Sequence, residues 1–303
     1  MGVGLLSVAG AGLLVAVVAA PADPQETAGE TERLQQELTV SQKSRYRIQG
    51  VESQADLEYG VLSRLAVRHR ADGGLFVEQK VQAASLIQAD ALTKAVLSDL
   101  LKKLQGARWE MDFNAQGEVI RFQGGNDRVQ AAAAHDQPGA LTFLLASLVD
   151  QDGWKELGQW SFFRPPTPLR AGAKWQRPMT HRWGTLGQWT GRVGFTYAGS
   201  QGGLQRFPFA FKLTYAPPKA PDRGLPFAIS NPSFKHLEAG GTIWFDAKKQ
   251  RVSHVEERFH VQGELWLSLL GQSIPVHLDE DQRFRLRLLD DAAGSEAMEE
   301  EER

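Results

Sequence analysis

The chain of 303 residues contains no cysteine. That absence removes disulfides, thiol nucleophiles, cysteine-ligated zinc and a lipidated N-terminal cysteine. A fold without such staples rests on core packing, and about 280 residues suffice to bury a sizeable core. Charge is missing from the first 22 residues, and no Lys or Arg precedes Arg33. Catalytic signatures are missing too. Ser200, in Ala198-Gly199-Ser200-Gln201-Gly202, lies in a turn where no helix follows to support a nucleophile elbow. Gly10-Ala11-Gly12 falls inside the uncharged run with no strand before it, so it is no dinucleotide fingerprint.

The uncharged run from Gly2 to Ala20 meets Pro21-Ala22-Asp23-Pro24, where a helix must stop. Ala20-Pro21-Ala22 has the small-x-small form of a signal-peptidase site. Residues 1–22 therefore read as a signal peptide or, since an apolar run of about 20 residues spans a bilayer, as an N-terminal anchor. The lack of a basic n-region means that the true start lies upstream or that the export signal is unusual. The expected address is the periplasm or cell envelope, with membrane contact only through an uncleaved N-terminus.

The net charge of −2 is unevenly spread. Residues 23–32 carry four acids and no base, and residues 290–303 carry seven acids and one Arg. The body between Arg33 and Leu289 holds 33 bases and 25 acids, a formal +8. This divides the chain into a signal-like run at 1–22, an acidic linker at 23–37, one antiparallel β domain at 38–289 and an acidic disordered tail at 290–303.

Within the body, Leu38, Val40, Tyr46 and Ile48 alternate with Lys43, Arg45 and Arg47, the period of a half-buried strand. Asp72-Gly73-Gly74 predicts a hairpin turn between Leu65–Arg70 and Leu75–Val81. A helix is expected from an N-cap at Asp90, through Leu92, Val96, Leu100 and Leu104, to Gly106. A second, strongly apolar helix is expected over Pro138 to Val149. Residues 154–183, with Trp154, Trp160, Trp175, Trp183 and several prolines, predict an irregular crossing between two regions of sheet. Alternation is clearest from Trp189 to Tyr215. The final meander is expected as Thr242–Phe245, Val252–Leu269, Ile274–Leu278 and Gln282–Leu288, with Asp279-Glu280-Asp281 as a polar hairpin end. About ten strands and two helices joined by short turns predict a mainly β protein: a curved antiparallel sheet, half-barrel or barrel-like, with two helices.

His254, Glu256, Arg258 and His260 share one strand face. The two imidazoles stand about 20 Å apart along the strand, too far to share a metal, so a solvated face with cross-strand ion pairs is expected. No metal and no cofactor is expected.

Leu104-Gln105-Gly106, Met111-Asp112-Phe113, Gly117-Glu118-Val119, Ala171-Gly172-x-x-Trp175, Phe195-Thr196-Tyr197-Ala198-Gly199 and Gly241-Thr242-Ile243-Trp244-Phe245-Asp246 resemble recurring phrases of a family of exported bacterial β-proteins of unknown function. The resemblance covers residues 38–289; it implies export and an antiparallel sheet, and brings no active site. The layout of a curved sheet with covering helices is more loosely similar to lipoprotein-carrier and lipid-binding half-barrels, a likeness of fold only. The resulting expectation is binding or carriage of an apolar or amphipathic ligand, such as a lipid, without catalysis. Phe143, Leu144, Leu148, Trp160, Trp175 and Trp183 are the candidate contacts. A structural module that binds an envelope protein, with a fully packed core, is the alternative; a hydrolase with a distributed carboxylate and His site is the third. No nucleic-acid partner is expected.

Overall fold

The computed structural model describes residues 31–125, 151–183, 186–218, 228–269 and 272–291. Five strands come first: β1 (Glu32–Ile48), β2 (Val51–His69), β3 (Leu75–Ala89), β4 (Arg108–Phe113) and β5 (Val119–Gly125), with helix α1 (Ala91–Leu104) between β3 and β4. Helix α2 (Gln151–Ser161) precedes β6 (Lys174–Arg182), β7 (Gln188–Thr196), β8 (Ser200–Gln201), β9 (Leu204–Ala216), β10 (Ala228–Asp246), β11 (Arg251–Leu269) and β12 (Gln272–Asp290).

All pairings are antiparallel. They form one sheet in the order β5-β4-β3-β2-β1-β12-β11-β10-β9-β7-β6, with the short β8 attached to β9. The first and last strands pair in the middle, from Leu34 opposite Asp290 to Ile48 opposite Val276. Each half of the chain therefore builds one wing outward from that seam. The edges β5 and β6 do not pair with each other, so the sheet is a half-barrel and not a closed barrel. Extra residues accentuate the curl: Ile87 and Gln82 of β3 are inserted opposite Glu58/Tyr59 and Leu62/Ser63 of β2, and the register shifts at three places between β10 and β11.

Period-2 alternation decides the two faces. Leu34, Leu38 and Val40 of β1 are buried on the concave side, as are Leu286 and Leu288 of β12. The outer side carries charge pairs, among them Arg258 with Asp281 at 2.8 Å and Arg287 with Glu37 at 3.3 Å. One face dry and one wet is the usual economy of an antiparallel sheet.

The helix expected from Asp90 is α1, and its Leu97, Leu100 and Leu101 pack on Leu57, Tyr59, Ala84 and Leu86 of the concave face. The helix expected at Pro138–Val149 lies outside the described residues, as do residues 1–30 and 292–303. Three expectations are corrected. The stretch from Trp154 is not an irregular crossing, because 151–161 is helical and 174–182 is a strand. Asp279-Glu280-Asp281 is not a hairpin end; the last two expected strands are one, β12, and the acidic run sits in its middle. The strand expected to begin near Leu65 begins at Val51, as part of β2.

Helix α2 holds Trp154, Leu157 and Trp160 buried, a face spaced for an α-helix. It touches both edge strands, β5 and β6, together with the central β11 and β12. It thereby bridges the gap that the unpaired edges leave.

Candidate functional site

The concave face divides into zones. Near the N-terminal end of β1 it is packed with aromatic rings. Trp160 stacks on Phe209 with centroids 4.8 Å apart and meets Phe195 and Phe211 edge-on. Phe163 lies against Phe195 and Phe207 at 5.2 and 5.4 Å, and Trp109 stacks on Trp154 at 4.2 Å. Offset and edge-on contacts of this kind are the favoured geometries of aromatic pairs.

Midway along the strands, inward-facing residues keep partial access: Gln42, Leu57, Tyr59, Glu257, Phe259 and Phe284. Residues on both sides of this band are closed, with Val255, Ile243 and Leu286 on one side and Ser44, Val261 and Leu278 on the other. Registry explains the band's composition. Glu257 of β11 is opposite Phe284 of β12 and opposite Gly241 of β10. A Cβ at Gly241 would lie 2.0 Å from the Glu256 carbonyl oxygen and 2.8 Å from Phe209 Cζ, so the close approach of β11 and the Phe209 ring together call for glycine there. Glu257 is thus flanked by two rings, with Phe259 two residues along its own strand.

Titratable groups gather around this band. His181 Nδ1 on β6 is 2.8 Å from Glu156 Oε2 on α2. Its ring also meets Phe259 at 5.8 Å. Burial, reinforced by the negative charge of Glu156, pushes the Glu257 carboxyl up to about 8, with His181 opposing. Burial pushes the Glu280 carboxyl up to about 7, although it accepts hydrogen bonds from Gln42 Nε2 at 2.8 Å and Ser44 Oγ at 3.3 Å. Burial likewise raises the Tyr46 phenol, with Glu280 adding to it and a Ser44 hydrogen bond opposing. At neutral pH this interior holds a protonated Glu257 and a Glu280 near its midpoint beside the His181–Glu156 pair. Such groups can store or pass a proton, or hold a cation. Among the described residues, no set of three or more His, Asp or Glu side chains is placed to hold a metal ion.

Of the expected contacts, Phe143, Leu144 and Leu148 lie outside the described residues. Trp160 is 5% exposed, a core residue of α2. Trp175 on β6 is half-buried and stacks on Phe195 at 5.4 Å, and its indole N–H has no acceptor among the described residues. Trp183, just past β6, is half-buried and meets Phe234 edge-on at 4.8 Å. Phe195 links Trp160 to Trp175, whereas Trp183 sits at the other end of β6 beside Trp189.

The residues of the acid cluster were not singled out from the sequence, although a signal exists. Glu257 shares parity with Val255, Phe259 and Val261, and Glu280 with Val276, Leu278 and Phe284. The His254–His260 face is the outer one, where His260 pairs with Asp279 at 2.9 Å, Arg258 with Asp281, and His254 stacks on Trp244 at 4.2 Å. This is the ion-paired face expected.

A recess of about 880 Å³ opens at the β1–β2 hairpin end, lined by Arg45, Arg47, Lys235, Glu264, His277 and others. Its charges are largely paired within it, Arg47 with Glu52 at 2.5 Å and His277 with Glu264 at 3.7 Å. No described helix is long and apolar enough to cross a membrane.

No family model matches the chain, and no curated protein matches it. Among solved structures, one of lipid–protein interactions in lipovitellin is similar over 86% of this chain at 7% identity and a TM-score of 0.36. The chain spans 25% of the length of that one. A DUF1329 family protein from Desulfovibrio piger is similar over 86% of this chain and 87% of its own, at 10% identity and a TM-score of 0.14. An enduracididine biosynthesis enzyme gives 10% identity and a TM-score of 0.09 over 87% of this chain and 91% of its own. Likenesses this slight assign neither a family nor a function.

Proposed function

We propose that the protein is an exported cell-envelope β-protein whose half-barrel binds or carries an apolar or amphipathic ligand on its concave face, without catalysis. The observation that supports this reading is the half-buried band running through Gln42, Leu57, Tyr59, Glu257, Phe259 and Phe284 between two closed zones. A packed core has no reason to leave aromatic and carboxyl groups partly accessible at depth, whereas a ligand site consists of apolar walls with a few polar groups. In this reading Trp175 and Trp183 contribute walls and Trp160 braces them from the core. Phe143, Leu144 and Leu148 add further contacts.

The test is native mass spectrometry of protein purified from its own envelope without detergent, with lipid extraction of the same sample. A stoichiometric apolar or amphipathic mass supports the reading, and Phe143→Asp or Leu144→Asp then abolishes its retention while circular dichroism is unchanged. A clean apo mass turns the reading to the alternative, a structural or protein-interaction module. The observation that favours the alternative is the aromatic lattice of Trp160, Phe163, Phe195, Phe207 and Phe209, which fills its part of the interior.

A further inference from the structure

Every described carboxylate inside the cup except one has a partner. Glu156 holds His181, and Glu280 accepts from Gln42 and Ser44. Glu257 has no hydrogen bond or ion pair among the described residues. It is half-buried on the concave face, between the closed Val255 and Val261 of its own strand. A carboxyl that is unpartnered and still accessible on this inner face is open to a ligand group.

The cations near this region have partners of their own, although the His181 charge also acts on Glu257. His181 belongs to Glu156, and Arg177 lies over Phe163 at 5.2 Å while donating to the Arg164 carbonyl at 2.6 Å. Around Glu257 stand the rings of Phe284, Phe209 and Phe259 instead. A buried carboxylate without a counter-charge is costly, and aromatic faces attract cations, most strongly away from water.

Resting on the reading that the concave face takes an amphipathic ligand, we propose that this ligand carries a cationic ammonium head, with the Glu257 carboxylate as its counter-ion and the rings of Phe209, Phe259 and Phe284 as its walls. Glu156 and His181 are the charged groups that face Glu257 from α2 and β6. His181 is hydrogen-bonded to Glu156 while its charge also acts on Glu257, so two carboxyls share one imidazole and the head group supplies the second positive charge. The raised titration of Glu257 adds a consequence: at pH 7 the empty site holds a proton, which the bound ammonium displaces into solution.

The experiment compares three twelve-carbon amphiphiles below their micelle-forming concentrations, by isothermal titration calorimetry at pH 7 in two buffers of different ionisation enthalpy. The probes are dodecyltrimethylammonium, dodecyl sulfate and the neutral tetraethylene glycol dodecyl ether. The expected result is about tenfold tighter binding of the ammonium than of the neutral probe, with proton release. In Glu257→Gln both the preference and the proton release disappear while neutral binding persists. Glu256→Gln, on the outer face of the same strand, keeps the preference. Equal binding of ammonium and neutral probes by the unmodified protein overturns the head-group assignment alone, as does a preference that survives in Glu257→Gln. Binding of none of the three overturns the ligand-binding reading itself. Should Glu257→Gln fail to fold, Phe259→Leu serves in its place, and an unchanged ammonium preference there counts against the site.

Discussion

Gln36 Nε2 donates to Ser161 Oγ at 2.7 Å, joining the first strand to the last residue of α2 in the dry interior. Ser161 passes the chain on to the Leu157 carbonyl at 2.8 Å. In the other direction Gln79 Nε2 donates to Gln36 Oε1 at 2.9 Å and to Ser63 Oγ at 3.1 Å. Four polar side chains from β3, β2, β1 and α2 are thereby linked to one another across three neighbouring strands, with Gln79 Oε1 left without a partner. This fixes where the helix lands on an otherwise apolar face.

Replacing Gln36 with Leu strands a Gln79 donor and removes the donor to Ser161. The expected cost is about 1–3 kcal/mol, because buried polar groups lose partners that water cannot replace. Urea denaturation of Gln36→Leu, beside a double Gln36→Leu/Gln79→Leu variant that loses less than the sum of the singles, checks both the magnitude and the coupling.

Trp160 is the ring through which α2 is seated among Phe195, Phe209 and Phe211. Trp160→Ala is expected to destabilise by about 3–5 kcal/mol through lost burial and the cavity left behind. Near-ultraviolet circular dichroism should lose much of its intensity while the far-ultraviolet strand signal persists below the unfolding transition.

Gly117, in the β4–β5 turn, has φ +76°. A Cβ there would lie 2.4 Å from the Phe162 carbonyl oxygen, so the turn and the end of α2 meet backbone to backbone. Gly106 has φ +85° with nothing within 4 Å of such a Cβ. Gly106→Ala should therefore cost only the left-handed penalty, about 1–2 kcal/mol, and Gly117→Ala clearly more. Equal losses in thermal or urea unfolding would mean that the Phe162 contact is readily relieved.

Glu280 titrates at about 7 in the folded protein against an ordinary value of 4.5, so between those limits the folded state binds more protons than the unfolded one. Stability then falls as pH rises from about 4.5 to about 7, and this loss stays constant above that. Glu280→Gln removes it. The variant should gain on the order of 2 kcal/mol relative to the unmodified protein between pH 4.5 and pH 8, read from urea midpoints at the two pH values. A difference that does not change with pH would show that Glu280 is charged at little cost.

Alternation of apolar and polar residues is a local consequence of the strand's two-residue period, so the strands from Trp189 to Tyr215, the half-buried β1 and the antiparallel character of the sheet were legible without coordinates. The helix from Asp90 was legible for the same reason, through its own period. Two elements were misread because charge and bulky rings masked that period. The Asp279-Glu280-Asp281 run suggested a turn, yet only Glu280 faces inward, while Asp279 and Asp281 are satisfied outside by His260 and Arg258. Trp154, Leu157 and Trp160 carried a helical spacing that the surrounding prolines obscured.

The site belongs to a different level. Glu156, His181, Glu257 and Glu280 come from α2, β6, β11 and β12, and no spacing along the chain brings them together. The sequence by itself determined which residues face in and which face out, because that depends on each strand alone. Only the tertiary structure decided which inward carboxyl found a partner and which was left without one. That choice depends on register between distant strands and on where α2 crosses the open side of the sheet.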